Sequence, residues 1–139
     1  MRGYWGRPED TARALAGGWL RTGDVGFLDA EGALHVLDRR DDLIVTGGEN
    51  VYPAEVETAL LAHPRVRDAG VAAVADAEFG HRPAAWVVTD GEVPAADLER
   101  FCRERLASYK VPVHFRRVAA LPRNASGKLL RRRLADGVA

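Results

Sequence analysis

Of the 20 lysines and arginines in this 139-residue chain, only two are lysines, Lys110 and Lys128. Lys128 ends the run Pro122-Arg123-Asn124-Ala125-Ser126-Gly127-Lys128. Pro, Asn, Ser and Gly oppose regular structure, so this ammonium is expected on an exposed loop at the entrance to a helix. An ammonium is a compact point charge that can follow a moving anion, whereas a guanidinium favours a fixed two-pronged partner. The plain alternative is a surface lysine with no task. Two further stretches could meet a ligand. In Gly18-Trp19-Leu20-Arg21-Thr22-Gly23-Asp24, Gly23 permits a tight turn and Asp24 stands at the mouth of a strand. A carboxylate so placed suits the two hydroxyls of a ribose, and Thr22-Gly23-Asp24 is equally an ordinary turn. In Thr46-Gly47-Gly48-Glu49-Asn50 the paired glycines either let a ligand approach the backbone or simply permit positive φ. That loop lacks the Gly-Lys-Ser/Thr ending of a phosphate loop.

The remaining reactive residue types carry no second mechanism. His35, His63, His81 and His114 show no metal-ligand spacing, no Ser/His/Asp arrangement is visible, and no metal site is expected. The single cysteine, Cys102, excludes an internal disulfide and falls in an apolar-periodic stretch, where it reads as buried filler. Glu55 and Glu57 sit at a helix start, where the macrodipole accounts for them.

These residues need elements to position them. Pro8 to Ala16 reads as a short helix stopped by Gly17-Gly18. Val25 to Leu28 and Ala33 to Leu37 read as strands joined by Asp29-Ala30-Glu31-Gly32. The charged run Asp38-Arg39-Arg40-Asp41-Asp42 has no apolar anchor and marks an exposed joint between domains. Leu43 to Thr46 resumes as a strand, followed by the Gly47 to Asn50 loop. Pro53 suits the first turn of a helix running to about Ala62, with Val56, Leu60 and Leu61 on one face. Asp68 to Ala75 and Ala84 to Thr89 read as strands, and Asp97 to Ala107 as a helix burying Leu98, Phe101, Cys102 and Leu106. His114 to Val118 is an edge strand, and a closing helix starts at Lys128. The class is α+β: a small domain with a few-stranded sheet flanked by helices, preceded by a short helix and a β-hairpin.

Bulk properties narrow the partners. Hydrophobic content of 47% and charged content of 29% are those of an ordinary globular chain. A formal net charge of +0 gives no field towards nucleic acid or an anionic membrane. The basic cluster Arg116, Arg117, Arg123, Lys128 and Arg131 to Arg133 is either a solvated helix face or a phosphate-facing one. No apolar run has the length of a signal peptide or a membrane span, so the expected compartment is the cytoplasm.

Taken in order, Arg2-Gly3-Tyr4-Trp5-Gly6-Arg7-Pro8, Gly18 to Asp24, Asp38 through Glu57 and Pro122 to Lys128 closely resemble the C-terminal end of the adenylate-forming (AMP-binding) superfamily. That group holds acyl-CoA and aryl-CoA synthetases, the adenylation domains of nonribosomal peptide synthetases, and firefly-type luciferases. The resemblance spans Arg2 to about Leu134 and implies a two-step ligase. A carboxylate attacks the α-phosphate of ATP, releasing pyrophosphate; a thiol, usually that of coenzyme A, then displaces AMP to give the thioester. By resemblance, Asp24 holds the ribose hydroxyls, Arg39 assists near the nucleotide, and Lys128 bridges carboxylate and α-phosphate oxygens as the catalytic residue. Asp41 matches the family's hinge, and Gly47 and Gly48 match the lining of the pantetheine tunnel. Phe79, Tyr109 and Lys110 fall where related ligases contact the nucleotide end of coenzyme A.

The resemblance further implies that residues 1–38 are the tail of a large N-terminal AMP-binding domain and residues 39–139 a mobile lid. ATP with Mg²⁺, a carboxylic acid and coenzyme A would be substrates of the complete enzyme, none held tightly by this chain. The phosphate loop, adenine pocket and acyl pocket of the family have no counterpart here, so the chain alone is expected to be inactive. The Gly47 to Pro53 stretch looks more like fatty-acyl and aryl-CoA ligases, with fatty acid metabolism the implied setting. A peptide-synthetase adenylation piece and a non-catalytic binding module remain as alternatives.

Overall fold

A computed structural model describes residues 1–135. The chain divides into two compact units, Met1–Asp41 and the remainder from Asp42 onward.

The first unit holds α1 (Pro8–Ala14), β1 (Asp24–Leu28) and β2 (Leu34–Arg39). Pro8 opens α1, and Glu9 and Asp10 stand in its first turn, where the macrodipole favours acids. β1 and β2 pair antiparallel from Leu28↔Leu34 to Asp24↔Arg39, with a bulge at Val25/Gly26. The charged run expected to be purely a joint thus contributes its first two residues to β2. The strand tolerates them because it is solvent-facing along most of its length. No residue of this unit is buried.

The second unit is built on a five-stranded sheet. β3 (Ile44–Thr46), β4 (Glu49–Val51), β5 (Val66–Asp76) and β6 (Gly80–Thr89) lie in the order β4-β3-β6-β5, and β7 (Phe115–Arg117) runs parallel to β6. The long β5–β6 hairpin is its spine, in register from Asp68↔Val88 to Asp76↔Gly80, with a bulge between Val66 and Asp68. Alternate residues of these strands serve opposite faces. Ala69, Val71, Ala85 and Val87 pack with α2 (Pro53–Leu61) and α3 (Ala95–Arg103) through Val56, Leu60, Leu98 and Cys102. Ala72, Ala84 and Trp86 face the other way, onto Leu121 and Leu134, the latter in α4 (Arg132–Ala135). Burial on both faces explains why Gly70 to Ala75 and Pro83 to Val88 read as nearly unbroken apolar runs. A side chain at Gly70 would come within 3.0 Å of Leu134 and 3.2 Å of Leu129, so glycine there lets the C-terminal segment lie directly on the sheet.

Three expectations change. Gly47 and Gly48 turn a hairpin, after which β4 begins at Glu49; this edge strand buries only Val51 and so carries no apolar pattern. α3 ends at Arg103, and a separate single turn, Ser108–Lys110, follows. The final helix begins at Arg132 rather than Lys128, because the preceding segment folds back on itself. Arg123 and Leu129 form an antiparallel bridge, and the Leu130 amide donates to the Pro122 carbonyl at 2.8 Å.

Candidate functional site

In the first unit the turn Thr22-Gly23-Asp24 brings Asp24 and Arg39 together. Gly23 takes φ +79°, and the Asp24 amide donates to Thr22 Oγ1 at 3.1 Å, so the carboxylate is held at the head of β1. Arg39, opposite it in register, places Nε 3.2 Å from Asp24 Oδ1 and donates from Nη1 to the Thr22 carbonyl at 3.0 Å. Both side chains face solvent, so the pair is weakly bound and the carboxylate keeps acceptor capacity for hydroxyl donors. An open groove of ≈ 560 Å³ lies beside them, lined by Arg7, Asp10, Arg13, Arg21, Arg39 and Asp41 among others. Arg7 and Arg13 both engage Asp10, while Arg21 has no ion-pair partner among the described residues and leaves the groove a cation to offer an anion. Asp41 is exposed within the single turn Arg40–Asp42.

In the second unit Gly47, Gly48 and Phe79 gather at one end of the sheet. Gly47 and Gly48 take φ +57° and +89°, as a two-residue hairpin turn with both central positions at positive φ requires. The Gly47 amide donates to the Phe79 carbonyl at 3.1 Å, and a Cβ on Gly47 would stand 2.9 Å from the Phe79 ring. Open space surrounds the corresponding position at Gly48. Phe79 is itself fixed by Asp76, whose Oδ1 accepts from the amides of Phe79 at 2.9 Å and Glu78 at 3.0 Å. Those two amides, Phe79 first, hold the Asp76 carboxyl below the usual carboxylate range. The Arg82 guanidinium lies 5.4 Å from the centre of the Phe79 ring. The outcome is a small surface of two bare glycines, an exposed aromatic ring and a cation.

Tyr109 and Lys110 lie in the turn Ser108–Lys110. Tyr109 packs partly into the core, and Lys110 Nζ stands 5.7 Å from its ring centre. The Lys110 ammonium is already engaged, donating to both Glu55 carboxylate oxygens at 2.7 and 2.8 Å. Glu55 and Glu57 therefore do more than answer a helix dipole. Two residues apart on a helix are separated by about 200° around its axis, and Glu57 reaches Arg131 instead.

Lys128 stands at the end of a braced hairpin. Asn124 Oδ1 accepts from the Ser126 amide at 3.1 Å, the Ser126 hydroxyl at 2.8 Å and the Lys128 amide at 2.8 Å. The Asn124 amide donates to the Lys128 carbonyl at 2.9 Å. Arg123 donates from Nη1 to the Gly127 carbonyl at 2.8 Å and from Nη2 to both carboxylate oxygens of Asp68 in β5 at 2.8 and 2.9 Å. The backbone is thereby fixed on a sheet strand, while the Lys128 side chain is exposed and has no partner among the described residues. The expected irregular loop is a positioned finger. Among the described residues, no group of three or more His, Cys, Asp or Glu side chains is placed to hold a metal, and no helix is long and apolar enough to cross a membrane.

A small α+β unit with a braced lysine hairpin at one sheet edge and a two-glycine turn at another defines a class of domain, and that class has a family. Residues 55–128 match the AMP-binding enzyme C-terminal domain, and the chain belongs to that family. It is 58% identical over 135 residues to the 2-succinylbenzoate–CoA ligase of Geobacillus kaustophilus, covering 96% of this chain and 28% of that protein. Identity to the ligase of the same name from Bacillus velezensis is 55% over 136 residues, covering 98% of this chain and 28% of that protein. The o-succinylbenzoate CoA synthetase of Bacillus subtilis, solved with its acyl-adenylate intermediate, superposes with a TM-score of 0.94 at 51% identity. That superposition covers 99% of this chain and 28% of that one. The chain thus spans a little over a quarter of the length of the curated relatives it matches, and those relatives are CoA ligases rather than peptide-synthetase pieces.

Proposed function

We propose that these residues form the C-terminal part of an ATP-dependent carboxylate–CoA ligase, and that the acid activated by the complete enzyme is 2-succinylbenzoate. The observation that carries the reading is Lys128: an exposed ammonium, unpaired among the described residues, on a hairpin braced by Asn124 and pinned to the sheet by the Arg123–Asp68 pair. In the first half-reaction a carboxylate oxygen bonds to the α-phosphorus of ATP as the bond to pyrophosphate breaks. Negative charge is then shared between the attacking and phosphoryl oxygens, and Lys128 supplies the compact cation between them. Positioning and charge stabilisation of this kind dominate phosphoryl-type transfer. Asp24 accepts from the ribose hydroxyls, and Arg39 beside it steadies the nucleotide.

In the second half-reaction the thiol sulfur of coenzyme A bonds to the acyl carbon, and AMP leaves with the electron pair of the broken C–O bond. Rotation about Asp41 would exchange the Lys128 finger for the Gly47-Gly48 turn. Glycine hydrogens there leave room for a narrow pantetheine chain, with Phe79, Tyr109 and Lys110 towards its nucleotide end. Residues 1–38 belong in this reading to the larger nucleotide-binding domain. Their exposed Trp5, Trp19, Leu28 and Leu34 are consistent with an apolar partner surface supplied by that domain. The names of the relatives at 55% and 58% identity support an aromatic dicarboxylic acid rather than a fatty acid as substrate.

The test is ATP–pyrophosphate exchange in the complete ligase bearing these residues. Exchange should depend on 2-succinylbenzoate and should fall about 10²–10³-fold in Lys128→Ala, the loss expected for one preorganised donor. These 139 residues alone should give no exchange. Equal exchange with palmitate would refute the substrate, and full exchange by Lys128→Ala would refute the mechanism.

A further inference from the structure

Arg131 lies three residues beyond Lys128 and binds more of the second unit than any site residue does. Its Nη1 and Nη2 fork onto the two carboxylate oxygens of Glu57 in α2, the Nη2–Oε2 arm at 3.0 Å. Nη1 also donates to the Val71 carbonyl of β5 at 3.2 Å, and Nε stands 3.3 Å from Asp42 Oδ2. Glu57 Oε1 closes the ring by accepting from the Val71 amide at 2.8 Å. One guanidinium therefore joins the helix, the central hairpin, the strand-like segment after Lys128 and the first residue beyond the boundary at Asp41. The side chains of Arg131, Glu57 and Asp42 are only 16%, 13% and 28% exposed, so solvent screens these bonds far less than it does a surface pair.

This arrangement is more specific than stability alone requires. A buried ion pair is often matched or exceeded in stability by apolar residues of the same volume, whereas a planar fork fixes direction as well as distance. Among the described residues the Lys128 hairpin has two ionic anchors, Arg123 on Asp68 and Arg131 on Glu57 and Asp42. Only the second reaches the residue adjoining the boundary between the units. A finger swung from a pivot delivers its tip reproducibly only if the arm between pivot and tip is stiff, and a misplacement of about 1 Å can cost on the order of 10²-fold in rate.

We propose that Arg131 is a positioning residue, which through Asp42 and Glu57 locks the Lys128 hairpin to the lid side of the Asp41 pivot so that the two turn as one body. The inference rests on the ligase reading above and assigns to Arg131 and Asp42 a task in adenylation with none in thioester formation. Lys128 is used only in the first half-reaction, so slack in its arm should be felt there.

The experiment uses the complete ligase and measures two reactions separately, pyrophosphate exchange and thioester formation from supplied acyl-adenylate. Asp42→Asn weakens the arm at the pivot and leaves the Glu57 fork in place; Arg131→Lys keeps the cation and loses the fork. Asp42→Asn should lower the kcat of exchange about tenfold, with KM for ATP and acid and the thioester rate within about twofold of the parent. Arg131→Lys should lose more, and the double variant should be no slower than Arg131→Lys alone, as expected for residues acting through one contact. The thermal midpoint of Asp42→Asn should stay near that of the parent. Parent-like exchange in Asp42→Asn, or equal loss in both half-reactions, overturns the proposal. Lys128→Ala separates the two layers: if it exchanges normally the ligase mechanism fails, and if it is inactive while Asp42→Asn is normal only the positioning role fails.

Discussion

Val71, Leu60 and Leu98 in the second unit are sealed from water, whereas Trp5 is 100% and Trp19 80% exposed in the first. Of the 13 large apolar side chains that stand exposed among the described residues, 10 belong to residues 1–41, and that stretch buries no residue at all. Both regions use the same devices locally. Each has a proline-led helix, and each has an antiparallel hairpin with one bulge. They differ in what covers the sheet. The β5–β6 hairpin is packed on both faces by α2, α3 and the C-terminal segment, while the β1–β2 pair has two strands and no buried face. An isolated two-stranded hairpin is at best marginally stable in water, so hydrogen bonds and register alone do not make a stable unit. The second unit carries its own core, and the first carries none.

Hydrogen exchange offers the largest test of that contrast. Amides of Val71, Ala85 and Val87 should exchange only through global unfolding, while those of β1 and β2 should exchange at nearly free rates. For a domain stable by about 5 kcal/mol the gap in protection is several thousand-fold. Removing residues 1–41 should leave the slow amides slow. Strong protection across Asp24–Leu28 in the isolated chain would break the comparison and favour a self-sufficient module.

Truncation of side chains sharpens it. Leu60, fully buried between α2 and the sheet, should cost about 2–5 kcal/mol as Leu60→Ala, read by denaturant unfolding. Phe27 is 52% exposed, stacked on His35 at 4.9 Å, and Phe27→Ala should change the same transition by less than about 0.5 kcal/mol. Comparable losses from the two would mean that the β1–β2 pair unfolds together with the larger core.

The same contrast governs what could be read from the residues alone. α2 and α3 were legible because burial of one face imposes helical spacing on Val56, Leu60, Leu98 and Cys102, and β5 and β6 because burial of both faces makes Gly70 to Ala75 and Pro83 to Val88 nearly unbroken apolar runs. β1 and β2 were legible for another reason, the turn chemistry of Asp29 to Gly32, where Asp29 Oδ1 caps the Ala33 amide at 2.7 Å. β4 was not, since an edge strand that buries one residue has no pattern to show. Among the candidate site residues, the turns around Gly23, Gly47 and Lys128 could be placed on loops from Gly, Pro and Asn content. Their bracing could not. Arg131 and Glu57 are 74 positions apart, as Lys110 and Glu55 are 55 apart, and no local spacing announces a partner at that distance. Order along the chain carried the family resemblance, and only the fold reveals which charges hold the Lys128 finger.

The two units should also answer pH in opposite directions. Asp29 in the first is held below its ordinary 3.8, first by the His35 side chain and then by the Ala33 amide. Its contribution is complete above about 3.8 and fades as pH falls through the lower folded value, loosening the hairpin in acid. Cys102 in the second is pushed by burial from 9.0 up to about 11. Between those values the unfolded thiol has ionised while the folded one has kept its proton, so stability falls as pH rises from 9.0 towards about 11. The loss is on the order of 2 kcal/mol at the upper end. Unfolding of the chain and of Cys102→Ala should therefore diverge above pH 9 and run parallel below it, with alkylation of Cys102 confined to the unfolded protein. Parallel curves through pH 11 would show that this thiol is reached by water, and the sealed core of the second unit would then be less distinct from the first.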